Sequence, residues 1–365
     1  TARPGPRAAA TMIVAVVSSA LAFSRGVRPT TQPLLSAPAL AVDEPFAVPL
    51  LPRHAPAQLY LADDPTGYAF MLPVATAVAT SCQLCGIGGA ALFSPIFLLA
   101  FPLLGPEYPL DSPAAAIASA LLTEVFGFSS GLSGYARRGL VAWPIALQFS
   151  AVAVPLAFGG ALCAGTLASQ TTLLRVVYAA LMLGLAAYLI LSPPAEALEA
   201  LAAEECAVGE EEQQVIAQRA ADGRVFTYRG AAKGSLGSAG ATGAGAFLTG
   251  LLGVGVGEVV LPQLVKGCCM PLPLAAGTSV ATVVITAAAA AIVQFGALAA
   301  ASGGDLGAAI PWSLVRWTIP GVLVGGQLAP LLASRGVLSD EDIERFAATL
   351  FGLVGLAFAV KAVTG

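Results

Sequence analysis

The chain has 365 residues, 57% of them hydrophobic and only 10% charged, with a formal net charge of −4. A soluble domain spends about a quarter of its residues on charged groups, so a chain this poor in charge cannot cover a globular surface, and most of its exterior must face lipid. The small net charge, with no basic cluster, excludes nucleic acid as a partner.

Residues 1–66 read as a targeting leader followed by a disordered linker. Arg3 and Arg7 precede an apolar run from Thr11 to Phe23. That run is too short for a bilayer span, which needs about 20 residues, and has the length of a signal-peptide core. No acid occurs before Asp43, and prolines recur through the rest of the segment, which holds the lone histidine, His54. The pattern resembles the bipartite leaders of algal secondary plastids; an ordinary secretory signal plus linker is the alternative. The expected location is integral and multi-pass, in a plastid membrane after leader removal, otherwise in the plasma membrane or an endomembrane.

From Gly67 the apolar runs come in two matching sets. Residues 67–191 form a first membrane repeat: a long glycine-broken segment, then runs at 112–132, 143–167 and 171–191. A hydrophilic linker, 192–238, holds eight acids and four bases and is expected to be partly helical. Residues 239–365 repeat the plan, with Gly253 opposite Gly86, Pro262 opposite Pro95, Ser279 opposite Ser119 and Trp312 opposite Trp143. The expected fold is therefore an all-α polytopic membrane protein of two homologous repeats, each a broken segment plus three transmembrane helices. Internal duplication is the usual build of secondary transporters. Lys and Arg near span ends favour one side of the membrane; an inverted arrangement puts Arg137, Arg138, Lys266 and Arg335 on one face, so the repeats are read as inverted.

The breaks themselves, "GIGGA" at 86–90 and "GVGVGE" at 253–258, carry the functional reading. Irregular backbone at membrane depth survives only when buried in protein or lining a polar cavity. Each break starts a new half-helix, at Ala90 and near Gly257, and a helix start exposes N–H groups and about half a positive charge, which suits an anion. The candidate ligands are the backbone around Gly86, Gly88, Gly89, Ala90, Gly253, Gly255 and Gly257. The hydroxyls of Ser119, Thr123, Thr278, Ser279 and Thr282 join them, with the amides of Gln83 and Gln263. Simple packing kinks, and hydroxyls bonded to the carbonyl one turn back, are the alternatives. Glu258 and Glu124 sit deepest in apolar sequence. Such acids carry protons, line cavities or form ion pairs, and Glu258, then Glu124, is read as proton-coupling.

Two glycine-broken, proline-closed motifs in order, with "AAGTSVAT" after the second and "IPG" at 319–321, resemble the sulfite exporter TauE/SafE family over about residues 67–360. The resemblance implies a transporter, not an enzyme, whose solutes are small sulfur-containing anions such as sulfite, thiosulfate or organosulfonates, with no cofactor and no metal. Val256 and Glu258 depart from the commoner glycine pattern, which leaves the substrate less fixed than the fold. The rival reading is a membrane thiol carrier using Cys82 and Cys85; a duplicated carrier should repeat that pair, but Thr249 and Leu252 stand at the matching positions. The remaining cysteines lie mostly in apolar sequence, unlike the framework of a secreted disulfide protein.

Overall fold

The computed structural model describes residues 67–84, 90–101, 110, 113–168, 170–191, 215–230, 236–304, 310–335 and 340–364. The leader, the glycines at 86, 88 and 89, and most of the acidic linker lie outside the described residues. Helix α1 (Met71–Leu84) leads to the first break. Beyond it α2 (Ala90–Pro95) passes into a π turn, Ile96–Ala100. Three long helices follow: α3 (Pro113–Arg137), α4 (Trp143–Ala168) and α5 (Thr171–Leu191). The second half gives α6 (Leu236–Leu252), the break, α7 (Val256–Pro262), a π turn at Gln263–Gly267, then α8 (Leu272–Ala301), α9 (Trp312–Arg335) and α10 (Asp340–Thr364). In both halves the π turn begins at the residue after a proline, where a missing N–H and ring clash disturb the α-helical ladder.

Three of these helices, Pro113–Arg137, Trp143–Leu167 and Leu272–Ala301, are long and apolar enough to cross a membrane. Apolar residues stand exposed on the helices, for example Leu147, Phe158 and Leu162 on the α4 span, and Leu353 and Leu356 on α10. Exposed leucine rows of this kind suit lipid, not water.

The halves interlock through small residues. α1 lies against α9, and α6 against α4, so the helix before each break packs on the second long helix of the other half. Glycine makes both approaches possible. A Cβ at Gly325 would come 2.5 Å from the Thr76 carbonyl oxygen and one at Gly321 2.6 Å from that of Leu72. A Cβ at Gly160 would overlap the Phe247 carbonyl, and one at Gly250 that of Ala157. Close approach through small residues is how helices associate where no water drives them together. Direction follows from side-chain partners. Thr123 meets Thr318, Ser130 Oγ donates to the Leu323 carbonyl, and Gly134 faces Pro330, so α3 and α9 run the same way. The Ala142 amide meets Thr278 and the Ala146 carbonyl meets Thr282, so α4 and α8 do as well.

One element corrects the all-helical expectation. Val215–Arg219 (β1) and Val225–Arg229 (β2) form an antiparallel hairpin inside the linker, paired from Val215–Arg229 to Arg219–Val225. The sequence explains it: "VIAQR" and "VFTYR" alternate as strands do, and Asp222-Gly223 supplies the turn, with Gly223 at φ 88°.

Candidate functional site

The second break is the fully described one. Gly253 and Gly255 take φ of 86° and 137°, and a Cβ at Gly255 would sit 2.7 Å from the Gly245 carbonyl oxygen, so no other residue fits that turn. Gly255 caps α7 without offering a side chain; Val256 and Gly257 are buried in its first turn and Glu258 follows in that same turn. The freed groups are largely claimed. Thr249 Oγ1 donates to the Gly245 carbonyl and accepts from the Val256 N–H at 2.8 Å. The Leu252 carbonyl accepts from Tyr178 OH at 2.6 Å and from Ser94 Oγ at 3.3 Å.

That last bond bears on the expectation that the two breaks meet. Ser94 stands four residues past Ala90, in the half-helix that follows the first break, and it touches the last residue of the helix preceding the second. The two interrupted segments are therefore in contact. Behind them Phe93, Phe97 and Phe101 stack on one another and on Tyr68, within a core that includes Ala75, Ala79 and Ala120.

Gln83 and Gln294 hold the two halves' broken helices in a mirrored way. Gln83 Nε2, on α1, donates to the Gly127 carbonyl of α3 at 2.8 Å; Gln294 Nε2, on α8, donates to the Gly250 carbonyl of α6 at 2.7 Å. Glutamine and glycine exchange sides between the halves. Room for Gln83 comes from Gly131, whose added Cβ would collide with its amide, and from Gly326, where a Cβ would lie 2.6 Å from the Gly127 carbonyl oxygen and 3.1 Å from Gln83 Nε2. Its Oε1 is buried without a hydrogen-bond partner among the described residues.

The hydroxyls divide into two groups. Thr278 Oγ1 donates to the Leu274 carbonyl and accepts from the Ala142 N–H, and Thr282 Oγ1 reaches the Thr278 and Ala146 carbonyls. Thr123 donates to the Ser119 carbonyl and pairs with Thr318. Ser119 and Ser279 differ: both are 0% exposed, and neither Oγ has a partner among the described residues. They do not lie side by side. A Cβ at Gly277 would come 3.2 Å from Tyr135 Cβ, so α8 begins where α3 ends. Counting 1.5 Å per residue from there puts Ser119 and Ser279 roughly 20 Å apart along the helix axes.

Glu124 is buried on α3 and Glu258 half-buried on α7. Gln263 Oε1 accepts from Ser238 and Thr242, and its Nε2 is buried without a partner among the described residues. Arg175, one of the cations that could have paired with a buried acid, donates to the Lys361 carbonyl instead. Of the thiol-carrier pair, Cys82 is buried and Cys85 is outside the described residues. Cys269 takes part in a disulfide, which the apolar setting of the cysteines did not suggest.

The sequence matches the model of the family described as "Sulfite exporter TauE/SafE" over residues 71–358. The chain belongs to that family. The match begins at the first residue of α1 and ends inside α10, so it takes in both broken segments. This TauE/SafE chain is also similar to a "Probable membrane transporter protein" of Xylella fastidiosa (strain 9a5c), 26% identical over 285 residues, which is 78% of the present chain and 90% of the relative. No solved structure matches it. The protein is thus an integral membrane protein of a transporter family.

Sequence reasoning missed the roles of Thr249 and Tyr178. A tyrosine inside an apolar helix is itself a signal, since its buried O–H needs an acceptor. Nothing marked Thr249 as the cap of a helix seven residues on.

Proposed function

We propose that the protein carries small sulfur-containing anions, of the sulfite, thiosulfate or organosulfonate class, through an interior walled by the two glycine-broken segments. The observation that carries the reading is the contact of Ser94 with Leu252, which joins the two interruptions. In further support, the buried hydroxyls of Ser119 and Ser279 have no partner among the described residues. A buried hydroxyl without a partner costs about 1–3 kcal/mol, a cost that an anionic ligand would offset. The family's name supports the solute class, and the relative's name supports transport.

The repeats are inverted in this reading. In support, α3 and α9 run in the same direction, as do α4 and α8. Two repeats of like orientation would instead align α4 with α9. The roughly 20 Å between Ser119 and Ser279 then gives two depths of one path, related by the pseudo-symmetry, each beside one broken segment. Amide donors around Gly86, Gly88, Gly89 and Ala90, and around Gly253, Gly255 and Gly257, line it with Gln83 and Gln263.

Glu258 couples the anion to a proton. It sits in the first turn of α7, where an ionised carboxylate satisfies the positive end of the helix by itself. Protonation removes that internal anion and frees the helix end for the solute. Glu124, buried on α3, is the second proton site. The test is uptake of labelled sulfite, thiosulfate, sulfate and a sulfonate into proteoliposomes, with and without a pH gradient. One of the sulfur oxyanions or the sulfonate is expected to enter, faster with the gradient, and Glu258→Gln is expected to abolish the gradient effect. Uptake of none, or an unchanged gradient effect in Glu258→Gln, sinks the respective half of the reading.

A further inference from the structure

The linker hairpin does not hang free. The Ala221 N–H donates to the Arg138 carbonyl at 2.9 Å, and Gln218 Nε2 donates to the carbonyls of Gly139 at 2.6 Å and Val141 at 3.2 Å. These are bonds to the α3–α4 turn, in the first half. At its other end the Arg229 N–H donates to the Cys268 carbonyl at 2.8 Å, in the turn between the π segment and α8 of the second half. Tyr228, 3% exposed, is packed under the sheet, while Val215 and Val225 on the other face stay exposed. Gly139 is shaped for the contact: its φ is 71°, and a Cβ there would lie 3.2 Å from Ala220 Cα and 3.3 Å from the Arg219 carbonyl oxygen. The same α3–α4 turn receives the start of α8, because a Cβ at Gly277 would overlap the Leu140 carbonyl.

We propose that the hairpin is a strap that closes the interior on the Arg138 face by tying the α3–α4 turn of one half to the Cys268 turn of the other. Both anchors cannot stay bonded while the two turns separate, so opening on that face requires the strap to let go of one. The anchoring is a handful of hydrogen bonds, each of which shifts an equilibrium by roughly fivefold, and an attachment of that size is releasable. Under the strap lies a built-in reporter. Cys268 is a free thiol, 2% exposed, while its neighbour Cys269 is held in a disulfide and does not label.

The experiment needs no knowledge of the transported solute. The full chain in nanodiscs is treated with a water-soluble maleimide, and labelling of Cys268 is followed by mass spectrometry. Gln218→Ala, which removes two anchoring bonds, and Gly139→Ala, which displaces the hairpin, are compared with the unmodified protein. Hydrogen exchange at the Ala221 and Arg229 amides reports whether the strap has lifted in each. Both amides are expected to lose protection, with Cys268 labelling roughly fivefold faster or more. The proposal is overturned if the amides lose protection while Cys268 labels at its original rate, or if neither substitution loosens them.

Discussion

Two sets of hydroxyls lie on the same pair of long helices, and they are used differently. Thr278 and Thr282 bond inside the protein, on their own helix and across to α4. Ser119 and Ser279, equally buried, make no such bond among the described residues. Ser279 directly follows Thr278, so depth and local polarity cannot account for the contrast; what differs is the direction each points from the helix. A hydroxyl inside a membrane protein therefore says little by itself, and only the census of its partners separates a structural bond from an unused one.

The contrast is easiest to break through the serines. Ser119→Ala and Ser279→Ala are each expected to lower uptake about tenfold or more, the worth of a hydrogen bond to a charged group. Their melting temperatures should be unchanged or higher, since no internal bond is lost. A fall in melting temperature without loss of uptake would assign them to packing. The threonines should behave the opposite way. Thr278→Val leaves the Ala142 N–H without its acceptor and is expected to cost about 1–3 kcal/mol of stability. Thr286→Val removes only a second bond to the Thr282 carbonyl one turn back and should cost under about 1 kcal/mol, both read by thermal denaturation in detergent.

The smallest expected effect is outside the membrane. The N–H and guanidinium of Arg224 bond to Asp222 and hold its carboxyl below the usual carboxylate range. With the folded-state pKa lowered, this contribution to the hairpin is complete above the ordinary carboxylate pKa and fades as pH falls through the folded value. Protection factors of the hairpin amides, corrected for intrinsic exchange, should decline only in that acid range. A loss beginning near neutral pH would point to another group.

Much of the fold was legible because membranes impose a narrow grammar. The apolar runs at 112–132, 143–167 and 171–191 became helices that start at Pro113, Trp143 and Thr171. The second break was legible because glycines spaced one apart in hydrocarbon have few uses. What the residues could not reveal was orientation around each helix. Thr278 and Ser279 are adjacent letters, and no periodicity says which finds an acceptor on a helix far away in sequence. The hairpin escaped for a different reason: its ten strand residues lie in a charged linker whose composition suggests helix, and its docking depends on backbone carbonyls that carry no letter at all. The mirrored Gln83 and Gln294 were hidden because the glutamine changes sides, so corresponding positions of the two halves hold unlike residues.

The π turns after Pro95 and Pro262 fix the phase of what lies beyond them. Each wide turn holds one residue more than an α turn would, and a residue corresponds to about 100° of helical rotation. If either proline were replaced and its segment relaxed to regular α geometry, every downstream side chain would swing by that angle. In the first half this would carry Phe101, just past the turn, off its stacking contact with Tyr68. In the second it would turn the Cys268 carbonyl, just past the turn, away from the Arg229 N–H. The two prolines thus act as angular keys, deciding which side of each returning arm looks inward.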